Sequence, residues 1–180
     1  MENKDTKLKK NEDKLNIKEI VLTLGLGIFL AIIFMQIVRV TDVNGHSMDS
    51  TLYNGEKLLL NRMAYVNSEP KYKDIVVVER DDLSVKYIIK RVIGEAGDTI
   101  EIKDNQVYKN GKLLNEDYIK EAMVNNEDMK VTVPEGCVFV MGDNRNHSMD
   151  SRSSIIGLIN DKDIVGKAVF NISDFTTKNL

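Results

Sequence analysis

Ile20-Val-Leu-Thr-Leu-Gly-Leu-Gly-Ile-Phe-Leu-Ala-Ile-Ile-Phe-Met-Gln-Ile-Val38 runs for nineteen residues without a charge, and only Thr23 and Gln36 are clearly polar. As a helix rising about 1.5 Å per residue it covers roughly 28 Å, close to the hydrocarbon thickness of a bilayer. A buried core helix rarely runs so long without a polar face. A cleavable leader would carry a shorter apolar centre followed by a small-x-small site, whereas here the chain continues Arg39-Val-Thr-Asp-Val-Asn-Gly45. The stretch therefore divides the sequence into a polar tail (1–19), a transmembrane helix (20–38) and one domain (41–180). The pair Gly25 and Gly27 is no dinucleotide fingerprint, because the third glycine is missing and both lie inside the span.

Orientation follows from the basic residues. Lys4, Lys7, Lys9, Lys10, Lys14 and Lys18 precede the span, and only Arg39 stands between it and Lys57. That asymmetry predicts a single-pass protein of the cell membrane, with a cytoplasmic N-terminus and residues 41–180 on the extracytoplasmic face. The one cysteine, Cys137, suits that side, excludes an intramolecular disulfide framework, and reads as core within Cys137-Val-Phe-Val-Met141.

Beyond the span the pattern changes to short runs of branched residues. Lys57–Asn61, Asp74–Glu79, Val85–Ile93, Val131–Val133, Cys137–Met141 and Ile164–Ile172 read as strands. Thr99–Leu114 reads as a hairpin series with turns at Asp104-Asn105 and Asn110-Gly111. Long helical periodicity is missing. The expectation is one antiparallel β domain, with the polar stretch Asn115–Lys130 as an excursion. A net charge of −3, 6% aromatic residues and no tryptophan argue against nucleic acid, and two histidines make a His-rich metal site unexpected.

Three clusters carry possible chemistry. Residues 44–52, Asn-Gly-His-Ser-Met-Asp-Ser-Thr-Leu, form a polar turn, and Ser47 lies nine residues beyond Val38. Even fully extended, that linker spans roughly 30 Å, which keeps Ser47 near the outer membrane surface. A serine in a turn is ordinarily only a turn serine, and it becomes a nucleophile with a base beside it. Lys90 is the candidate base. Side chains alternate along Val85–Ile93, so Lys90 shares a face with Ile88 and Val92, while Tyr87, Ile89 and Ile93 take the other. A lysine set between branched aliphatics loses water, its pKa falls, and the neutral amine can accept a hydroxyl proton. The bland alternative is a lysine that reaches solvent or pairs with an acid.

The third cluster, Met141-Gly-Asp-Asn-Arg-Asn-His-Ser-Met-Asp-Ser-Arg152, is dense in donors and acceptors and suits a scaffold beside a site. A Ser-His-Asp triad of Ser47, His147 and Asp143 or Asp150 is also chemically possible. His46 is a poor base for Ser47, because neighbours on an extended chain point apart. Gly45-His-Ser-Met-Asp49 lacks the final glycine of a nucleophile elbow, and Ser68-Glu-Pro-Lys71 matches S-x-x-K without that motif's partners.

At these clusters the sequence resembles the type I (leader) signal peptidases, peptidase family S26, in their short single-span Gram-positive-type bacterial form. Gly45-His-Ser-Met48 with Thr51-Leu52, Tyr87-Ile-Ile-Lys-Arg-Val-Ile-Gly-Glu-Ala-Gly-Asp98 and Gly142–Arg152 look like the family's serine box, lysine box and third signature, in the family's order. The resemblance implies a mainly β, antiparallel β-barrel-like catalytic domain behind one transmembrane helix. It implies Ser47 as nucleophile, Lys90 as general base, and the Ser47 N–H as oxyanion donor. Gly45 stands where many Gram-negative members have a serine donor. Ser148 matches the residue that hydrogen-bonds the lysine amine. Asp143, Asp150 and Arg152 match positions that hold the site together, Arg91 supports its strand, and Met48 sits by the substrate pocket. Ser50 and Ala96 stand where the family usually has proline. The implied partners are secretory preproteins, cut after small residues at −1 and −3, together with the lipid bilayer and the secretion machinery. No cofactor or metal is implied. A membrane-anchored β module without activity is the competing class.

Overall fold

Apolar residues on every side of one long segment give helix α1, Ile17–Ile37, in which no residue is buried. Val21, Leu22, Leu24, Ile28, Phe29 and Phe34 are all exposed, and the helix is long and apolar enough to cross a membrane. The computed structural model describes residues 16–81 and 85–175. Five of the six lysines that set the expected orientation therefore lie outside the described residues, Lys18 excepted.

The rest of the chain is a separate β unit. Its strands are β1 (Val38–Asp42), β2 (Lys57–Asn61), β3 (Ile75–Glu79), β4 (Tyr87–Gly94), β5 (Thr99–Lys103), β6 (Gln106–Lys109), β7 (Lys112–Leu113), β8 (Met129–Thr132), β9 (Cys137–Met141), β10 (Ile159–Asn160) and β11 (Ile164–Asn171). Every pairing is antiparallel. A seven-stranded sheet runs β1-β2-β11-β3-β4-β9-β10, and a four-stranded sheet runs β7-β6-β5-β8. Both tight hairpins have the backbone their sequence demands. Asp104 and Asn105 sit at φ 51° and 59°, and Asn110 and Gly111 at φ 53° and 77°. Positive φ at both central residues matches the right-handed twist of the flanking strands, and Asn, Asp and Gly tolerate it most readily.

β3 explains why its sequence is apolar without alternation. Ile75 and Val77 pack into one cluster with Val43, Met48, Leu52, Leu58 and Leu60, while Val76 and Val78 pack into another with Val92, Val138, Val140 and Ile159. A strand covered on both faces needs no polar face. Ile93, Phe139 and Met141 join Ile100, Ile102, Val107 and Val133 in a third cluster that binds the two sheets together.

Two elements are absent from the sequence reading. β1 pairs with β2 from Val38↔Asn61 to Asp42↔Lys57, so Val38, read as the last residue of the span, opens a strand. Its burial does not alternate, so tertiary pairing, not periodicity, makes it a strand. β10 is only two residues long, too short to leave a pattern. The expected excursion runs through residue 128, since β8 begins at Met129.

Candidate active site

Two buried apolar plugs fix the turn that carries Ser47. Met48 and Leu52 are 1% and 0% exposed within the core, and the amides of Thr51 and Leu52 both donate to the Met48 carbonyl at 3.0 and 2.8 Å. Gly45, at φ 100°, enters the turn through a conformation that a side chain would strain.

Lys90 comes from the middle of β4, where its Cα pairs with Val76 of β3. Its Nζ donates to Ser47 Oγ at 2.8 Å and to the Ile89 carbonyl at 2.9 Å. The residue is only 3% exposed. Burial pulls the amine's pKa down to about 8, with the Arg152 charge helping, against the opposing carboxylates of Asp150 and Asp143. The sequence placed Lys90 between Ile88 and Val92, and desolvation follows.

The third cluster surrounds this pair. Arg91 clamps Asp143 through Nε to Oδ1 at 2.9 Å and Nη2 to Oδ2 at 2.7 Å, and the Thr51 hydroxyl donates to Oδ2 at 2.5 Å. The Asp150 carboxylate accepts from the Gly142 amide at 2.9 Å and from Arg152 at 2.8 and 2.9 Å. Burial pushes the Asp150 carboxyl up, but Arg152 outweighs it and holds the group below its ordinary value. Arg152 also donates to the Arg145 carbonyl at 2.7 Å and to Asn126 at 2.6 Å. These contacts tie one loop to itself and to the excursion.

His147 is exposed and makes no side-chain hydrogen bond among the described residues. Asp143 and Asp150 are committed to arginines, so no hydrogen-bonded Ser-His-Asp relay is assembled here. The hydroxyl of Ser148 is buried and makes no hydrogen bond to the lysine amine; it lies against Gly142 and on the side of the Asp150 carboxylate, whose pKa it helps to lower.

Residues given no role from the sequence complete the frame. Arg145 is fully buried and paired with Glu116 at 2.7 and 2.6 Å. Burial alone would lower its pKa, and Glu116 reverses the direction. The ring of Tyr118 stacks under Arg91 at 4.3 Å, and its carbonyl accepts from Ser50 Oγ at 2.7 Å. Glu116 and Tyr118 belong to the polar excursion, and no local pattern marks them. A groove of about 740 Å³ runs past the pair, lined by residues 41–48, Val77 and residues 85–90, and by His147, Met149, Ile155 and Ile156. β9 pairs with β4 only from Arg91 onward, so Tyr87–Ile89 keep one open edge.

A serine hydroxyl in hydrogen-bond contact with a dry amine, at the edge of an apolar groove, is the constellation of a serine hydrolase without histidine. Residues 16–173 match the family model described as signal peptidase, peptidase S26. Signal peptidase I P of Bacillus subtilis subsp. natto is 42% identical over 78% of this chain and 82% of its own. Signal peptidase I of Bacillus licheniformis is 42% identical over 71% and 73%. A crystal structure of a signal peptidase I from Enterococcus faecalis V583 aligns at TM-score 0.48 and 32% identity, covering 56% of this chain and 97% of that one. The chain belongs to the signal peptidase family, peptidase S26, and is a serine peptidase.

Proposed function

We propose that the protein removes N-terminal signal peptides from secreted preproteins with Ser47 and Lys90 as a catalytic dyad. The observation that carries this reading is the 2.8 Å contact between Lys90 Nζ and Ser47 Oγ, made by an amine whose burial lowers its pKa to about 8. The neutral amine takes the Ser47 proton as Oγ attacks the scissile carbonyl, and the Ser47 N–H donates to the oxyanion. Collapse breaks the C–N bond. The ammonium returns its proton to the leaving amine, and the mature protein departs. The signal peptide remains esterified to Ser47 until Lys90 deprotonates a water that attacks the ester; the acyl C–Oγ bond then breaks, the ammonium returns its proton to Oγ, and the signal peptide leaves with a new C-terminal carboxyl group. Ser148, whose Oγ is buried and not bonded to Lys90, is the proposed acceptor for the remaining Lys90 proton once substrate tightens the site, with its own proton turned toward Asp150.

The chain is proposed to cross the membrane once through α1, with its N-terminus cytoplasmic and its catalytic domain outside. A preprotein delivered by the secretion machinery is held in the same bilayer by its own apolar segment. The two tethers raise the effective concentration of bond and nucleophile without a new contact. Specificity for small residues at −1 and −3 is proposed from the family resemblance.

The test is cleavage of a preprotein carrying Ala-x-Ala by the purified full-length chain in detergent, with mass analysis of the cut. Ser47→Ala and Lys90→Ala each abolish the product, and His147→Ala retains most of it. Equal severity for His147→Ala and Lys90→Ala would replace the dyad with a triad.

A further inference from the structure

The peptide group joining His46 to Ser47 is gripped by Asn144. The Asn144 side-chain Nδ2 donates to the His46 carbonyl at 2.8 Å, and the Asn144 amide donates to the Ser47 carbonyl at 3.0 Å. Asn144 is 1% exposed. Its Oδ1 is buried without a hydrogen-bond partner among the described residues. An orphaned buried acceptor is costly and calls for a reason. The reason here is the other end of the amide: turning it over would set Oδ1 against the His46 carbonyl oxygen and lose the one bond it makes.

A trans peptide is planar, and its C=O and N–H point in opposite directions. The described chain contains no cis peptide. Holding the His46 carbonyl therefore aims the N–H of the same peptide group, that of Ser47, away from Asn144. That N–H has no acceptor among the described residues, and Ser47 lines the groove. It is a donor left open where a substrate carbonyl would lie.

We propose that Asn144 is a positioning residue for the reaction: its side-chain amide aims the Ser47 N–H at the oxyanion of the tetrahedral intermediate. This rests on the Ser47–Lys90 reading above. The bond from the Asn144 backbone to the Ser47 carbonyl does not depend on the side chain, and the Asp49 amide also donates to the His46 carbonyl, at 3.2 Å from within the turn; Asn144→Ala removes the shorter, side-chain contact on that carbonyl and leaves these two. Asn144→Asp removes the donor at nearly constant size.

The test uses the full-length protein in detergent with the Ala-x-Ala preprotein and two probes: a peptide aldehyde ending in alanine and the matching peptide amide. The Ser47 hydroxyl adds across the aldehyde C=O to give a tetrahedral hemiacetal, while the amide binds only as ground state. In both variants kcat falls roughly 10- to 100-fold, somewhat less than the cost of deleting an oxyanion donor outright. KM stays within about threefold, aldehyde affinity falls in step with kcat, amide affinity holds, and in Asn144→Ala, which introduces no charge, the rise of rate with pH keeps its midpoint. The inference is overturned if kcat stays within about threefold of wild type, if aldehyde and amide affinities fall together, if the pH midpoint of Asn144→Ala moves, or if neither variant folds. Lys90→Ala separates the two readings. If it retains wild-type kcat, the dyad fails and this inference with it; if it is inactive while Asn144→Ala is fully active, only the aiming role fails.

Discussion

In the proposed dyad, Lys90 is where stability and chemistry pull in opposite directions. An amine with a pKa near 8 is about one-tenth neutral at pH 7. We expect kcat/KM to rise about tenfold per pH unit below 8 and to level off above it, read from initial rates between pH 6 and 10. A midpoint near 10.5 would mean that Lys90 is not the base. The same shift is a cost to the fold. Below pH 8 the folded and unfolded chains both hold the proton, and folding carries the full desolvation of the ammonium. Between about 8 and 10.5 the folded chain releases it and the cost fades. Lys90→Met should therefore raise unfolding free energy at pH 7 by on the order of 1–3 kcal/mol, with the gain shrinking as pH rises from about 8 to 10.5. Thermal unfolding across pH in detergent checks it. Ser47 and Lys90 stood out as candidates because a glycine turn and strand alternation are local signals, and the family resemblance gave them their proposed roles. Asn144 and Thr51 stood within quoted motifs without a role, because a hydrogen bond to a residue some ninety positions away leaves no local mark.

The loop that follows β9 and the strap 115–128 hold the dyad in register. Gly142 follows β9 directly, where a Cβ would lie 2.4 Å from the Ser47 carbonyl oxygen and 2.3 Å from Ser148 Oγ. The neighbouring backbone cannot yield cheaply, so Gly142→Ala should displace the serine turn. We expect activity down by at least about 100-fold, with a stability loss of about 1–3 kcal/mol, measured by preprotein cleavage and melting. Asp143→Ala acts differently. It leaves the Arg91 cation 3% exposed without its carboxylate, and we expect a loss of about 3–5 kcal/mol in chemical denaturation. At this scale the sequence showed β3, β4, the hairpins and β9, whose composition is strongly apolar or whose turn residues are specific. It missed β1, which exists because β2 pairs with it, and it gave the strap no partners, although Glu116 and Tyr118 brace Arg145 and Arg91.

The helix and the β domain form separate compact units divided near residue 36, which suggests separable roles. A chain beginning at Gln36 should fold and cut a short soluble peptide with kcat/KM within about threefold of the full chain. It should cut a preprotein embedded in lipid vesicles 10²- to 10⁴-fold more slowly, the loss expected when an intramolecular encounter becomes a bimolecular one. Paired rates on the two substrates decide this; equal rates on both would remove the anchor from the mechanism.

The sequence by itself determined the apolar helix and the antiparallel strand content, since hydrophobic period and turn chemistry act within a few positions of the chain, and it offered Ser47 and Lys90 as candidates that the family resemblance singled out. Only the tertiary structure decided that the hydroxyl and the amine lie 2.8 Å apart, that Asp143 and Asp150 serve arginines and not His147, and that Asn144 grips the serine turn. Those outcomes depend on which strands pair and how far each loop reaches, and long-range packing, not local pattern, fixes both.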